Sequence, residues 1–343
     1  MLRELGTTGL MVNPIGFGGI PIQRLSMEES DRVIEEAIAS GINFFDSSRI
    51  YSDSEEKLGR IFCQYRDRVI IATKSFACER DMVLRDIETS LKKLKTDNIE
   101  IYQCHNISSI DILDKALGKG GAIEGLMKAK EEGLIGHIGI TGHKPWIMVE
   151  ALKRFDFETI QVPFNYIETS SLEELIPLAK EKEVGIIAMK PVAGGAIKNT
   201  DLNFRFILNC GIDVVIPGMD RIGQVKKNLS VLKDLSPLTK GEIKVLEEEK
   251  EILGETFCRR CEYCMPCPQG LNIPFLHLLG AYYFRYELKQ WAWKRLTSLP
   301  KGYQNCIDCK ECIEKCPYDL DMPNIFRDLN KRIREDYKTL KKE

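Results

Sequence analysis

The chain has 343 residues, 43% hydrophobic and 29% charged, the make-up of a folded protein and not of a disordered or fibrous one. Its formal net charge of −2 gives nucleic acid no electrostatic reason to bind. No apolar run approaches the ~20 residues that span a bilayer, and the opening "MLRELGTTGL" has Glu4 early and no apolar signal core. The expectation is therefore a cytoplasmic protein with no membrane or nucleic-acid partner, built as one large domain and a small one or as two of medium size.

The first residues, "LRELGTTGLMVN", read as a hairpin with a Gly-containing turn. From Ile15 to about residue 232, short apolar runs alternate with helical patterns. The strand candidates are 15–18, 43–46, 69–73, 99–104, 137–141, 159–163, 184–189 and 213–217. Between them lie segments such as "MEESDRVIEEAIAS", with apolar residues three and four apart. Eight strand–helix units predict an α/β fold, a (β/α)8 TIM barrel, with the hairpin placed to plug its open floor. The barrel is expected over residues 1–235. A connecting helix follows over 236–254, where Thr239 and Glu242 suit a capping box. Residues 255–343 change character, with clustered cysteines and the aromatic run "YYFRYELKQWAW". Those aromatics suit either the wall of a substrate site or the packing of a small domain.

A barrel of this kind carries its active site at the C-terminal ends of its strands. Asp46 ends the second strand, with Tyr51 five residues on in "DSSRIYSDSEEKLG". Lys74 ends the third, and His105 the fourth. Singly, each has an ordinary use as a helix cap, a packing ring, a solvated charge or a core histidine. Together they make a chemical constellation. A tyrosine hydroxyl, with a reference pKa of ~10, is a poor acid near neutrality. A nearby ammonium favours the phenolate, and a buried aspartate holds that ammonium in place. A histidine beside them orients a carbonyl. The set suits proton donation to a carbonyl oxygen while hydride reaches its carbon. Cys104, next to His105, is expected on the opposite face of its strand as a buried structural thiol. His143 follows the fifth strand and suits either the pocket or an exposed loop.

Residues 46–59 resemble the signature of the aldo-keto reductase family, D-(T/S)-(A/S)-x-x-Y-x-x-S-E-x-x-L-G, and "RELGTTGLMVNPIGFGG" is similar to that family's opening. The resemblance covers about residues 1–232. It implies an NAD(P)-dependent oxidoreductase with Asp46, Tyr51, Lys74 and His105 as its catalytic tetrad. It also implies an extended nicotinamide dinucleotide bound at the barrel mouth. Gly18 and Gly19 would line that site. Thr141 and Gln161 would hold the carboxamide. Met189, Lys190, Pro191, Val192 and Gly194 would follow the nicotinamide and pyrophosphate, while Gly218, Arg221, Gln224 and Asn228 would take the adenosine end. Departures from the family pattern are Gly142 in place of Asn, Met189 in place of a stacking tyrosine, and Gln224 in place of the arginine of NADP-specific members. Arg221, Lys226 and Lys227 leave positive charge there, so the preference between NADP and NAD stays open, with a lean to NADPH.

Of twelve cysteines, Cys63, Cys78, Cys104 and Cys210 are scattered and eight are clustered. The two runs are Cys258, Cys261, Cys264 and Cys267 followed by Pro268, and Cys306, Cys309, Cys312 and Cys316 followed by Pro317. The second matches the bacterial ferredoxin run for a [4Fe-4S] cluster; the first is one residue shorter before its last cysteine. Zinc also takes four-cysteine sites, though usually as two separated Cys-x2-Cys pairs. Strict three-residue spacing followed by Cys-Pro points to two [4Fe-4S] clusters in a small, mainly helical ferredoxin-like domain. "CEYCMPCPQGLNIP" resembles a C-terminal extension on one branch of the aldo-keto reductases. In two-cluster ferredoxins the fourth cysteine of each run serves the other cluster; the shortened spacing before Cys267 also allows it to fold back on its own run.

Three uses of these clusters stay open. They relay electrons between the barrel and a ferredoxin-like carrier; they are structural and close the substrate pocket; or the barrel is a degenerate scaffold and the clusters sense redox state. The sequence shows no flavin fingerprint, and barrel phosphate sites vary enough that FMN stays open. The expected reaction interconverts a small carbonyl and an alcohol.

Overall fold

The computed structural model describes residues 2–254, 256–260, 262–316 and 318–340. They form two compact units. One takes in the chain up to Val192 with Asn199–Thr239; the other takes in Ala193–Lys198 with the residues from Lys240 onward. Among the described residues no helix is long and apolar enough to cross a membrane.

The first unit opens with an antiparallel hairpin, β1 (Arg3–Glu4) and β2 (Met11–Val12). Eight parallel strands follow: β3 (Phe17–Gly18), β4 (Phe44–Asp46), β5 (Ile70–Ser75), β6 (Ile99–Cys104), β7 (Ile135–Thr141), β8 (Thr159–Pro163), β9 (Gly185–Met189) and β10 (Val214–Ile216). Each pairs with its successor. Parallel bridges from Ile15 to Val215 and from Gly18 to Gly218 join the first strand to the last and close the sheet into a barrel. Helices fill the connections. Met27–Ala39 shows why one begins where it does: Ser26 Oγ accepts the Glu29 N–H at 3.2 Å while the Glu29 carboxylate accepts the Ser26 N–H at 2.8 Å. The helix then buries Val33, Ile34, Ala37 and Ile38 along one stripe.

Strand alternation sorts the side chains into two cores. Phe45, Ile71, Tyr102, Cys104, Ile138, Ile160, Ile186 and Val215 belong to the large cluster shared with the helices. Phe44, Ala72, Ile101, Ile187, Val214 and Ile216 form a second cluster with Leu5 and Val12 of the hairpin. The hairpin thus seals the barrel floor with two fully buried side chains. Its turn requires glycine: Gly6 has φ +57°, and a Cβ there would lie 2.3 Å from the Gly185 nitrogen. Two residues further along the same inward face the side chains turn polar, at Asp46 after Phe44, Lys74 after Ala72 and Gln103 after Ile101. An apolar floor under a polar mouth puts the reactive groups where the strands end.

The second unit is helical, with Lys240–Gly254, Ile273–Phe284, Lys289–Ser298 and Met322–Leu340 as its longer elements. Leu271, Leu276, Tyr283, Tyr303, Phe326 and Ile333 form its core together with Cys258 and Cys312. The aromatic run packs inside this unit. Tyr283 donates to Asp336 at 2.9 Å, Tyr282 meets Trp291 edge-on at 5.0 Å, and Trp293 stacks on Tyr337 at 3.8 Å.

Candidate active site and cysteine cradle

Asp46 and Lys74 lie on neighbouring strands of the barrel and are 3% and 1% exposed. Lys74 Nζ reaches Asp46 Oδ1 at 2.6 Å, Asp46 Oδ2 at 2.7 Å and the Ser47 carbonyl at 2.6 Å. Three acceptors match the three hydrogens of an ammonium, one more than a neutral amine would offer. Burial is the strongest influence on both groups, pushing Asp46 up and Lys74 down, and the charge of each opposes that push on the other. Gln161 also hydrogen-bonds Asp46.

Tyr51 arrives from the loop after β4. Lys74 Nζ stands 5.1 Å from the centre of its ring, within reach of the ring's negative face. The His105 ring meets Tyr51 edge-on, with centroids 6.1 Å apart, and Phe76 covers His105 at 4.1 Å. His105 is placed by two hydrogen bonds: its backbone N–H donates to the Ser75 carbonyl at 2.9 Å, and its ring Nδ1 lies 2.9 Å from Ser48 Oγ. Burial, then the positive charges of Lys74 and Lys190, hold its pKa well below the usual imidazole value, so the ring is neutral near pH 7. The structure thus brings the four expected residues of the first unit into one cluster at the barrel mouth.

Among the positions expected to meet a dinucleotide, Gly18 and Gly218 are bridged, and a Cβ on Gly19 would meet the Asp46 carbonyl at 2.7 Å. Thr141 Oγ1 accepts the Asn106 N–H at 2.8 Å. Gln161 Oε1 accepts from Gln103 Nε2 at 3.0 Å, and Gln161 Nε2 lies 3.8 Å from the Met189 sulfur. The chain beyond Met189 is held from below, with Lys190 O accepting from Asn165 at 3.2 Å and Pro191 O from Asn203 at 2.6 Å. Val192 ends the first unit, whereas Gly194 belongs to the second, where a Cβ on it would meet the Tyr286 ring at 2.5 Å. Gln224 has its oxygen occupied by the N–H groups of Asp220 (2.8 Å) and Arg221 (3.2 Å), capping the helix Ile222–Ser230. The Arg221 side chain, 71% exposed, stands at that helix's N-terminus. Asn228 is buried. Lys226 pairs with Glu36 at 3.6 Å. His143 is half-buried beyond β7. Cys104 belongs to the helix-facing core, where burial pushes its thiol up to about 12.

Sequence reasoning missed three residues. Ser48 binds His105, and Phe76 covers it. Glu55 is buried beneath the site, accepting from Thr73 and Ser90 at 2.8 Å each and pairing with Arg49. Ser48 and Glu55 both sit inside the motif at residues 46–59, which was the available signal.

In the second unit, Cys261 and Pro317 lie outside the described residues. No described cysteine forms a disulfide. Cys264, Cys267, Cys306, Cys309 and Cys312 line one concavity together with Leu271, Ile273 and Phe326. The Arg260 N–H donates to Cys258 Sγ at 3.4 Å, a bond that favours a thiolate. Burial, followed by the neighbouring Cys306, Cys309 and Cys267, pushes the Cys312 thiol up to about 11. Several thiols crowded in an apolar hollow resist ionising together, and a cationic metal core removes that penalty by holding them as thiolates. The donor set fits iron–sulfur ligation.

A closed eight-stranded barrel thus carries a buried Asp–Lys pair, a tyrosine and a histidine at its mouth. Comparison with known proteins assigns residues 14–205 to the aldo/keto reductase family and residues 257–321 to a 4Fe-4S dicluster domain. An L-galactose dehydrogenase from Arabidopsis thaliana is 32% identical over 290 residues, covering 69% of this chain and 89% of its own. An uncharacterized oxidoreductase of Bacillus subtilis, YqkF, is 27% identical over 215 residues, covering 59% of this chain and 68% of its own. Among solved structures, an aldo-keto reductase from Bacillus halodurans in its holo form matches with a TM-score of 0.64 and 25% identity, over 72% of this chain and 95% of its own. The chain belongs to the aldo/keto reductase family and is an oxidoreductase enzyme of that family with a C-terminal 4Fe-4S dicluster domain.

Proposed function

We propose that the enzyme interconverts a small carbonyl compound and an alcohol, using NADPH or NADH as hydride carrier at the barrel mouth. The observation that carries this reading is the buried Asp46–Lys74 pair, with its ammonium 5.1 Å from the Tyr51 ring and neutral His105 edge-on to the same ring. In the reductive direction, Tyr51 donates its hydroxyl proton to the carbonyl oxygen. Lys74 stabilises the phenolate left behind, and Asp46 keeps Lys74 charged and aimed. His105 orients the carbonyl by hydrogen bonding. The dinucleotide supplies or accepts the hydride. Thr141, Gln161 and Met189 would meet its nicotinamide end, Lys190, Pro191, Val192 and Gly194 its pyrophosphate, and Gly218, Arg221, Gln224 and Asn228 its adenosine end, with Gly18 and Gly19 lining the mouth. The plant relative's name, L-galactose dehydrogenase, fits an alcohol–carbonyl couple.

The functional division follows the same reading: a barrel to residue 235, a connecting helix over 236–254, and a dicluster domain over 255–343. Its eight cysteines from Cys258 to Cys316 would hold two [4Fe-4S] clusters. These serve electron exchange with a ferredoxin-like carrier or give structural support, and the protein acts in the cytoplasm.

One preparation tests the whole reading. Protein purified anaerobically is assayed for iron, sulfide and flavin and for NADPH or NADH oxidation against a carbonyl panel. About eight irons per chain with carbonyl-dependent turnover supports it. Absence of both dinucleotide binding and turnover overturns it. Bound flavin would favour electron relay over structural clusters.

A further inference from the structure

A [4Fe-4S] core held by four thiolates is a net anion, and reduction adds one more negative charge to it. A cation or hydrogen-bond donor close to its sulfurs therefore favours the reduced form and raises the reduction potential. Arg259 stands in the sequence between two expected ligands, Cys258 and Cys261. Its guanidinium lies over the Tyr318 ring, 3.6 Å from the ring centre, which is the geometry of a cation–π stack. Tyr318 in turn follows the expected ligand Cys316 by two residues. The stack thus joins the segment after Cys258 to the segment after Cys316, the two thiols that crossed ligation gives to one cluster. The ring covers one face of the guanidinium, while the nitrogen Nη1 at its edge is buried and has no hydrogen-bond partner among the described residues. Arginine is not deprotonated in proteins, so Nη1 is an ionised donor in a sheltered place, a group that needs an anion beside it. The neighbouring Arg260 is engaged differently. Its backbone N–H donates to Cys258 Sγ at 3.4 Å, and its charge acts on His277, Tyr282 and Arg285.

We propose that Arg259 is the buried counter-charge of the cluster ligated by Cys258, with Nη1 donating to one of that cluster's sulfurs and the Tyr318 ring holding the guanidinium in place. Arg259 then raises the potential of that cluster above what its thiolates alone would set. The second run has no equivalent charge: the residue after Cys306 is Ile307, 61% exposed. Arg259 therefore makes the two clusters unequal. The inference rests on the reading that the cysteines hold [4Fe-4S] clusters, and it adds the residue that tunes one of them.

The test is a redox titration of the full-length, anaerobically purified protein, followed by electron paramagnetic resonance. The signal altered in Cys258→Ala marks the cluster concerned. In Arg259→Gln the ratio of reduced to oxidised cluster at a fixed potential should fall at least tenfold, a drop of about 59 mV for one electron. The other cluster should move by less than about threefold, or ~30 mV. Arg259→Lys, which keeps the charge, should recover most of the loss. A second measurement holds even where Arg259→Gln fails to assemble its clusters. Wild-type protein labelled with 15N in its arginine guanidinium groups should show, by electron–nuclear double resonance, a nitrogen coupled to the reduced cluster, and Arg259→Lys should lose it. Equal shifts of both clusters, or no guanidinium coupling in the wild type, overturns the proposal. Iron-loaded Arg259→Gln with an unchanged potential overturns the proposal alone, whereas an iron-free wild-type protein overturns the cluster reading and the proposal with it.

Discussion

Lys74 meets Asp46 through both carboxylate oxygens, at 2.6 and 2.7 Å, and both side chains are buried. A buried pair of this kind adds little to stability by itself, because desolvating two charges cancels most of their attraction. Its worth is the fixed positive charge it leaves beside Tyr51.

Tyr51→Phe therefore removes the proposed proton donor and leaves the charge and the dinucleotide contacts in place. Turnover should fall by ~10²–10⁴-fold, the usual worth of general acid catalysis, with dinucleotide affinity retained in a fluorescence titration. Retention of more than about a tenth of wild-type kcat would rule out donation by Tyr51.

Lys74→Met removes the cation and strands a buried carboxylate. Breaking a buried pair from one side costs about 3–5 kcal/mol, so this variant should lose both activity and several degrees of melting temperature. Tyr51→Phe should lose activity alone. Equal thermal stability of Lys74→Met and wild type would mean that Asp46 is protonated in the native protein and the pair is not ionic.

Much of this arrangement could be read in advance. Eight short apolar runs gave the barrel, because strand length and alternation are local properties, and strand ends located Asp46, Lys74 and His105. Contacts set by strand register could not be read. Ser48 and His105 are 57 residues apart in sequence and meet because Ser75 pairs with Cys104 across β5 and β6. The grouping of Ala193–Lys198 with the second unit is equally invisible in the sequence. It comes from contacts such as the Lys198 N–H with Glu249 and Arg285 with the Ala193 carbonyl. Gln224 illustrates a third limit. Its position suggests a ligand contact; that its oxygen also caps a helix is set by the fold and not legible in the sequence.

His105 gives a pH signature. Its folded pKa lies well below 6.5, through burial first and then the charges of Lys74 and Lys190. Above pH 6.5 neither folded nor unfolded chain holds the proton, so the residue contributes nothing. Below 6.5 the unfolded chain takes it up and the folded one does not, so stability falls as pH drops, by about 1.4 kcal/mol per pH unit. Subtracting urea-unfolding free energies of His105→Gln from those of wild type isolates the effect. The difference should be flat above pH 7 and fall steadily between pH 6 and pH 5. A flat difference throughout would show that the ring is not held neutral.

For the dinucleotide, the occupied oxygen of Gln224 leaves Arg221 as the exposed charge at the N-terminus of Ile222–Ser230. Backbone N–H groups and the helix dipole already favour a phosphate there. Arg221→Ala should weaken NADPH binding at least tenfold more than NADH binding, and the gap should shrink at high salt. Equal losses for both cofactors would remove Arg221 from the 2′-phosphate.

The sharing of the cysteines follows from which sulfurs surround one hollow. Cys267 closes the first run in sequence, yet it lines the same concavity as Cys306, Cys309 and Cys312, and it is among the groups that push the Cys312 thiol upward. That neighbourhood favours crossed ligation, with Cys267 completing the cluster of the second run and Cys316 completing the cluster of Cys258, Cys261 and Cys264. Cys264 of the first run lines the same concavity. Cys267→Ala should then convert the cluster held by Cys306, Cys309 and Cys312 to a three-iron form and leave the other intact. Electron paramagnetic resonance of the anaerobically purified variant can assign the damage, using Cys309→Ala as the reference for the second-run cluster. If the damaged signal differs from that reference and matches Cys258→Ala instead, Cys267 folds back onto its own run. A zinc-filled, iron-free domain would sink both arrangements.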